Sequence, residues 1–433
     1  MIQSIRHLTA LSWRKNLGRS MDTTVMKKNL SDHLKKASFR LENLNLVRDD
    51  KGRPVWNTEN ALTVLRSHPE WQGVLAHNLF RMKRMLLGPI PGEHDGGYPR
   101  SFNDLDYVAA QAWFNRAGFR TASKDVVVDA MHKIASENSF DPLEDYLNEL
   151  EWDKVQRLNR WLSTYCGAEE SDYTAEIGLR WCISAVARGL HPGCKADHMI
   201  VFEGSQGARK STALATLAGP NWFSDSLPPM QTKDASSFLS GRWIIEVAEL
   251  EAMRRDVDAV KAFISRQVET YRPAYGREEV TEPRRCVFAG TTNKDDWQRD
   301  ETGGRRFWPV KVGEINISAL ERDRDQLWAE AVTLYKNGER WWLEGDVVSA
   351  ALAAAGERRP EDPWRTDIAT IIDGLPEVTT KYVLAGLGFA PAEMTISLSK
   401  RVAAVFAGLG WRKSGRITSG DFKGAARFTP PSV

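Results

Sequence analysis

His198-Met199-Ile200-Val201-Phe202-Glu203-Gly204-Ser205-Gln206-Gly207-Ala208-Arg209-Lys210-Ser211-Thr212 is the stretch from which the rest of the chain is read. Met199 to Phe202 is a short apolar run of the kind that forms a buried strand. GSQGARKS follows as a tight loop, and Thr212 to Leu217 reads as a helix. Strand, glycine-containing loop, Lys-Ser and helix are together the parts of a phosphate-binding loop. The chemistry resides in the backbone, because loop amides and a helix N-terminus direct N–H groups at an anion. Gly204, Gly207, Ala208, Arg209 and Thr212 supply that cradle. Lys210 reaches toward β and γ oxygens, and Ser211 offers its hydroxyl to Mg2+. Arg209 stands where the GxxxxGK[ST] pattern has glycine. Three consequences are open: a reshaped loop, an added cation beside the phosphates, or weakened nucleotide binding. The plain alternative is an ordinary strand-turn-helix with a surface lysine.

The 433 residues suffice for two to four domains. A net charge of +2 makes any nucleic-acid contact local rather than global. Cys166, Cys182, Cys194 and Cys286 have no paired spacing. That argues against a zinc site or a disulfide framework and suits a reducing cytoplasm. No apolar run approaches the ~20 residues of a membrane helix. The basic start, with Arg6, Arg14, Lys15 and Arg19, fits a transit peptide, a solvated extension or an upstream start before Met21.

Four regions are expected: a basic extension over 1–55, a helical domain over 56–190, a phosphate-loop core over 191–345, and a linker with a small domain over 346–433. Helices are expected over 58–88, 104–138, 142–165 and 173–190. Trp152, Leu158, Trp161 and Leu162 fall at helical core spacing. After the phosphate loop, Trp243-Ile244-Ile245-Glu246-Val247-Ala248-Glu249 reads as a second buried strand carrying acids. Carboxylates at a strand end beside the loop can hold Mg2+ or orient water. Glu249 is the candidate water-activating residue and Glu246 a metal ligand or partner of a cation, with roles open to exchange. An edge strand with two solvated acids is the alternative. A helix over 257–265 puts Val260, Phe263 and Ile264 on one face. Tyr271, Arg272, Tyr275 and Arg277 then interleave aromatics with cations, as a loop that stacks bases or one that meets a neighbouring subunit. Cys286 to Asn293 is a third strand, ending where Asn293 can position water or sense a γ-phosphate. Gly303-Gly304-Arg305-Arg306 presents two arginines on a turn, suited to phosphoryl charge in cis or in trans, or else to a surface ion pair. Further helices are expected over 320–342, 379–387 and 395–409, with a helix and then a linker over 346–363. They are followed by basic strand-like pieces, the pattern of a winged-helix module.

The run from His191-Pro192-Gly193-Cys194-Lys195 through GSQGARKST, WIIEVAEL, KAFISRQVETYRPAYGR, RRCVFAGTTN and TGGRRFWPV resembles the virulence-associated protein E family. NSFDPLEDYLNELEWDKVQRLNRWL upstream and RDQLWAEA downstream resemble it too, so the likeness spans roughly 55–345. It implies an α/β fold: an AAA+-like parallel sheet near the superfamily 3 helicase branch, with helical N-terminal and winged-helix-like C-terminal parts. It also implies ATP and Mg2+ as cofactors, single-stranded DNA as partner, and a homo-oligomeric, hexamer-type ring without a membrane. By position, Lys210 and Ser211 correspond to Walker A, Glu246 and Glu249 to the Walker B region, Asn293 to sensor 1, and Arg305 or Arg306 to an arginine finger. Departures are Arg209 and the lack of a consecutive acidic pair. No acidic polymerase site is seen, so no primer synthesis is expected. The implied function is a mobile-element replication ATPase, possessing helicase-like character. A catalytically weak nucleotide-binding scaffold and a small-molecule kinase are the alternatives.

Overall fold

The structure, a computed structural model, describes residues 42, 44–93, 97–248, 257–272, 279–298, 304–359, 362–418 and 424–431. It divides into a unit ending at Glu357 and a unit beginning at Arg358.

In the first unit, α1 (Thr58–Ser67) starts at Asn57, whose side chain accepts the Asn60 amide. It stops well short of 88. Where one long helix is expected, the chain instead forms β1 (Leu75–Asn78) and β2 (Lys83–Leu86), an antiparallel pair extended by β3 (Arg100–Ser101). The span 104–138 holds two helices, α2 (Asp104–Arg116) and α3 (Lys124–Glu137), parted by a turn in which Gly118 has φ 110°. β4 (Ser139–Phe140) then pairs with β1, giving the order β3-β2-β1-β4. The N-terminal region is therefore helix and sheet rather than helix alone. Strand stability comes from partners far along the chain, which a local period does not report. Trp71, Trp113, Phe114 and Phe119 belong to its core.

The expected helix over 142–165 is likewise two, α4 (Pro142–Glu149) and α5 (Trp161–Cys166). Leu158, Trp161 and Leu162 are buried as core, whereas Trp152 is only half-buried. α6 (Asp172–Leu190) begins with a capping box on Ser171 and Thr174.

The sheet elements follow: β5 (Met199–Glu203), α7 (Lys210–Ala218), β6 (Phe223–Ser224), α8 (Lys233–Phe238), β7 (Ile244–Val247), α9 (Val257–Ile264), β8 (Val268–Tyr271), β9 (Val280–Pro283), β10 (Val287–Thr292), β11 (Phe307–Lys311), α10 (Ile317–Lys336) and α11 (Asp346–Glu357). Five parallel strands lie in the order β11-β5-β10-β7-β6. Both faces are covered. Ile200, Phe202 and Ile244 enter one core, while Met199, Val201 and Ile245 enter another, as the two-residue strand period requires. Trp181 of α6 and Trp328 of α10 fill the first core. Their indole N–H groups donate to the carbonyls of Phe288 and Leu217 at 3.0 and 2.9 Å. That satisfies the polar end of each buried ring. β8 and β9 form a separate antiparallel hairpin, which the sequence reading treats as loop. α11 packs on β11 and on the turn before it, within the unit that ends at Glu357.

The second unit holds α12 (Arg365–Ile372), α13 (Thr380–Gly386), α14 (Ile396–Gly408) and the antiparallel pair β12 (Arg412–Arg416) and β13 (Ala426–Thr429), with Val378 bridging Phe428. α12 is not among the expected helices. Ile368, Val383, Leu384, Val402 and Phe406 form its core. All four cysteines are buried and free. No helix among the described residues is long and apolar enough to cross a membrane.

Burial holds two histidines well below their ordinary pKa: His132 at about 4, with Arg84 assisting, and His198 at about 3. Both folded values lie below the unfolded value of about 6.5. As pH falls below that value the unfolded chain takes up a proton that the folded chain refuses, so stability is lost from about pH 6.5 downward. His198→Asn is expected to make the slope of stability against pH shallower between pH 6.5 and 4, by up to about 1.4 kcal/mol per unit. Urea melts across that range check it, and an unchanged slope would contradict it.

Candidate nucleotide-binding site

The phosphate loop joins the carboxyl end of β5 to α7, and its two glycines serve different needs. At Gly207, φ is 83° and no atom lies within 4 Å of a Cβ position, so backbone conformation demands the glycine. At Gly204 a Cβ would lie 3.1 Å from Val312 Cγ2 and 3.2 Å from the Val312 carbonyl oxygen, so space demands it. Arg209 has φ 60° and ψ 27°, the left-handed conformation, which costs a non-glycine residue about 1–2 kcal/mol. The loop therefore keeps the backbone a glycine would give, with an exposed arginine carrying the strain.

Arg209 is also the residue preceding α7, and its side chain caps no amide. The first amides of a helix have no acceptor within it, so those of Lys210, Ser211 and Thr212 remain available to an anion. Lys210 is only 8% exposed. Its Nζ donates to the Gly204 and Ser205 carbonyls at 2.7 and 2.9 Å and to Asn293 Oδ1 at 3.1 Å. Burial lowers its pKa, and the nearby Glu246 carboxylate opposes that shift. Glu246, on β7, is 1% exposed. Its Oε1 accepts from Ser211 Oγ at 2.8 Å and from Thr291 Oγ1 at 2.5 Å. Its Oε2 is buried with no hydrogen-bond partner among the described residues. A buried, unpartnered carboxylate oxygen beside a serine hydroxyl is the oxygen donor set that Mg2+ takes when phosphate and water complete its shell. The residues present thus fit that ion and a nucleotide phosphate.

These side chains line one cavity of about 420 Å³, bounded by residues 206–212, Glu246, Ala248 and the Thr291-Thr292-Asn293 end of β10. The register explains the convergence. β10 lies between β5 and β7 with Thr292 beside Glu203 and Ala289 beside Glu246, so three carboxyl ends meet at one edge of the sheet. Sequence reasoning missed Thr291, although the polar Thr-Thr-Asn strand end signals it. It missed Trp297 too, whose indole donates to Glu203 Oε1 at 2.7 Å and ties the segment after Asn293 to β5. A tryptophan in a loop carries no sequence sign of such a tie.

Other expected residues lie elsewhere. Glu249, Tyr275 and Arg277 are outside the described residues. Tyr271 ends β8, and its hydroxyl donates to Glu282 Oε1 at 2.7 Å, while Arg272 follows it, exposed. Arg305 and Arg306 are not brought to this cavity. β11 runs parallel to β5 with Phe307 beside Met199 and Lys311 beside Glu203. The arginines precede β11, so they sit at the amino end of the sheet, on the order of 13 Å of strand from the phosphate loop. Arg306 Nε donates to Ser265 Oγ at 3.1 Å and lies 3.8 Å from Asp197.

The parallel sheet and its glycine-lysine cradle define the class: an α/β domain with the architecture of a phosphate-loop protein. Residues 147–359 match the virulence-associated protein E-like domain. No curated protein matches the chain. Among solved structures, an apo A form of the NrS-1 C-terminal region aligns at 12% identity over 88% of this chain and 100% of that one, TM-score 0.47. A second apo structure of that region aligns at 12% identity over 86% and 98%, TM-score 0.45. A RuvB mutant of Thermotoga maritima aligns at 12% identity over 55% and 89%, TM-score 0.19.

Proposed function

We propose that this protein is an ATPase of mobile-element DNA replication, acting as a ring of copies on single-stranded DNA. The observation that carries the reading is the meeting of Lys210, Ser211, Glu246 and Asn293 at one cavity beside uncapped helix amides. In this reading Lys210 and the loop amides hold the β and γ phosphates, and Ser211 and Glu246 hold Mg2+. Bound Mg2+ supplies positive charge to the transferring phosphoryl group. Asn293, already bonded to the Lys210 ammonium, senses the γ-phosphate, and Glu249 orients water. The Arg305–Arg306 turn, being remote from its own cradle, serves a neighbouring copy. Ring closure then makes hydrolysis depend on assembly.

The β8–β9 hairpin with Tyr271 and Arg272, together with Tyr275 and Arg277 of the segment that follows in sequence, supplies the DNA contact. The C-terminal unit, three helices followed by a hairpin with exposed Arg412, Lys413 and Arg416, supports a winged-helix-like module that adds to that contact. The backbone strain at Arg209 favours a second reading, a scaffold that binds nucleotide without turning it over. Sedimentation with ATP and single-stranded DNA, followed by phosphate release on the same sample, decides between them. DNA-stimulated release with higher-order assembly is expected. Nucleotide binding without release would select the scaffold.

A further inference from the structure

A second cavity, of about 540 Å³, opens at the amino end of β5 and β11, away from the phosphate loop. Its walls combine aromatic faces with cations. Trp341 Nε1 donates to the Lys195 carbonyl at 2.7 Å and Trp342 Nε1 to Glu344 Oε1 at 2.8 Å. The two indoles stand at 83° with centroids 5.2 Å apart. Their N–H groups are engaged, so their faces are preset as a corner, and Trp342 is 45% exposed. Among the described residues, Lys195, Arg305 and Arg306 line the same space against one acid, Asp197, which lies 3.9 Å from Lys195 and 3.8 Å from Arg306. The Arg305 guanidinium makes no hydrogen bond or ion pair with the described residues. His198 lines the cavity too. It is 6% exposed, its ring is stacked on Trp308 at 3.9 Å, and its Nε2 has no hydrogen-bond partner among the described residues.

We propose that this cavity is a second nucleoside-phosphate site, taking a base against Trp341 and Trp342 and its phosphate on Arg305 and Lys195. The volume falls within the range of small-ligand sites. Any base offers a π-face to an indole, a contact that alanine substitution values at about 1–3 kcal/mol. A guanidinium matches phosphate geometry. The net positive lining disfavours neutral aromatics and peptides without acids. The ligand's source is a free mononucleotide or one nucleotide of a strand, both presenting the same chemistry. The inference goes beyond the ATPase reading and does not depend on the Lys210 cradle; it assigns Arg305 to this cavity and leaves Arg306 as the arginine offered to a neighbouring copy.

The test uses the full chain carrying Lys210→Ala, with the wild type in parallel, at concentrations where sedimentation shows a monomer. A 5-iodouracil deoxynucleotide monophosphate, or the same nucleotide within an oligo-dT strand, is photo-crosslinked, and tryptic peptides are mapped by mass spectrometry. Crosslinks are expected on the peptide that begins at Trp341, in both proteins. Arg305→Ala and Trp342→Leu, checked for fold by circular dichroism, are expected to lower the yield about tenfold each. Crosslinking by both probes assigns a free-nucleotide site, and crosslinking by the strand alone assigns a strand path. Crosslinks confined to other peptides, or a yield indifferent to Arg305→Ala, would overturn the proposal. Loss of ATP turnover in the Lys210→Ala protein bears only on the other cavity.

Discussion

Lys210→Ala is expected to lower ATP turnover by about 10²–10³-fold, the usual consequence of removing one preorganised donor from developing oxyanion charge. The ammonium is fixed before any ligand arrives, by two loop carbonyls and Asn293. Nucleotide affinity should fall as well, since hydrogen bonds to a charged group contribute about 1.5–3 kcal/mol. Substitution also strips a donor from three acceptors, so part of the loss can be structural. Lys210→Arg separates the two effects, because it keeps the charge but not the fit. Phosphate release and equilibrium nucleotide binding, with melting curves on each variant, check the expectation. Unchanged turnover in a folded Lys210→Ala protein ends the hydrolytic reading.

The second large effect is expected in the base of the β8–β9 hairpin. Arg284, with its side chain 0% exposed, pairs with Glu269, 4% exposed. Arg284 Nε donates to Glu269 Oε1 at 3.0 Å, and Ser236 Oγ donates to Glu269 Oε2 at 2.6 Å. The guanidinium also lies 4.8 Å from the centroid of Phe263 and meets the Ile264 carbonyl at the end of α9, at 3.2 Å. Glu269→Ala leaves this cation buried without its counter-charge, which typically costs about 3–5 kcal/mol. Glu269→Gln also removes the counter-charge, but it keeps one oxygen to accept from Arg284 and an NH2 that can donate to Ser236 Oγ, so it should cost less than Glu269→Ala. Urea denaturation read by tryptophan fluorescence measures both. A cost below about 1 kcal/mol for Glu269→Ala would show that the pair does not hold the hairpin base. Since the hairpin is the proposed DNA element, the same variant should bind single-stranded DNA more weakly.

The site was legible where its chemistry is local. Gly204 to Thr212 declares a phosphate cradle through residue types at fixed spacing. Buried runs ending in Glu246 and in Thr291-Thr292-Asn293 declare strand ends that carry polar groups. The sequence also flags Arg209 as a departure, and the φ of 60° shows the departure is borne as backbone strain. The N-terminal sheet was not legible. Leu75–Asn78 and Lys83–Leu86 carry no two-residue alternation, and their burial patterns run buried-buried-intermediate-buried and exposed-exposed-buried-buried. Such segments become strands only because partners exist across a turn and far along the chain. The β8–β9 hairpin escaped for a related reason, since buried Glu269 and Arg284 look like surface charge until they are seen together.

Local sequence thus determined the phosphate loop, the character of the strand ends beside it and the match of residues 147–359 to the virulence-associated protein E-like domain. Tertiary structure alone decided which turns share an edge of the sheet. Strand direction and order arise from pairing between distant segments, so they put Asn293 against Lys210 but Arg305 and Arg306 at the opposite end, beside two tryptophans that follow much later in the chain.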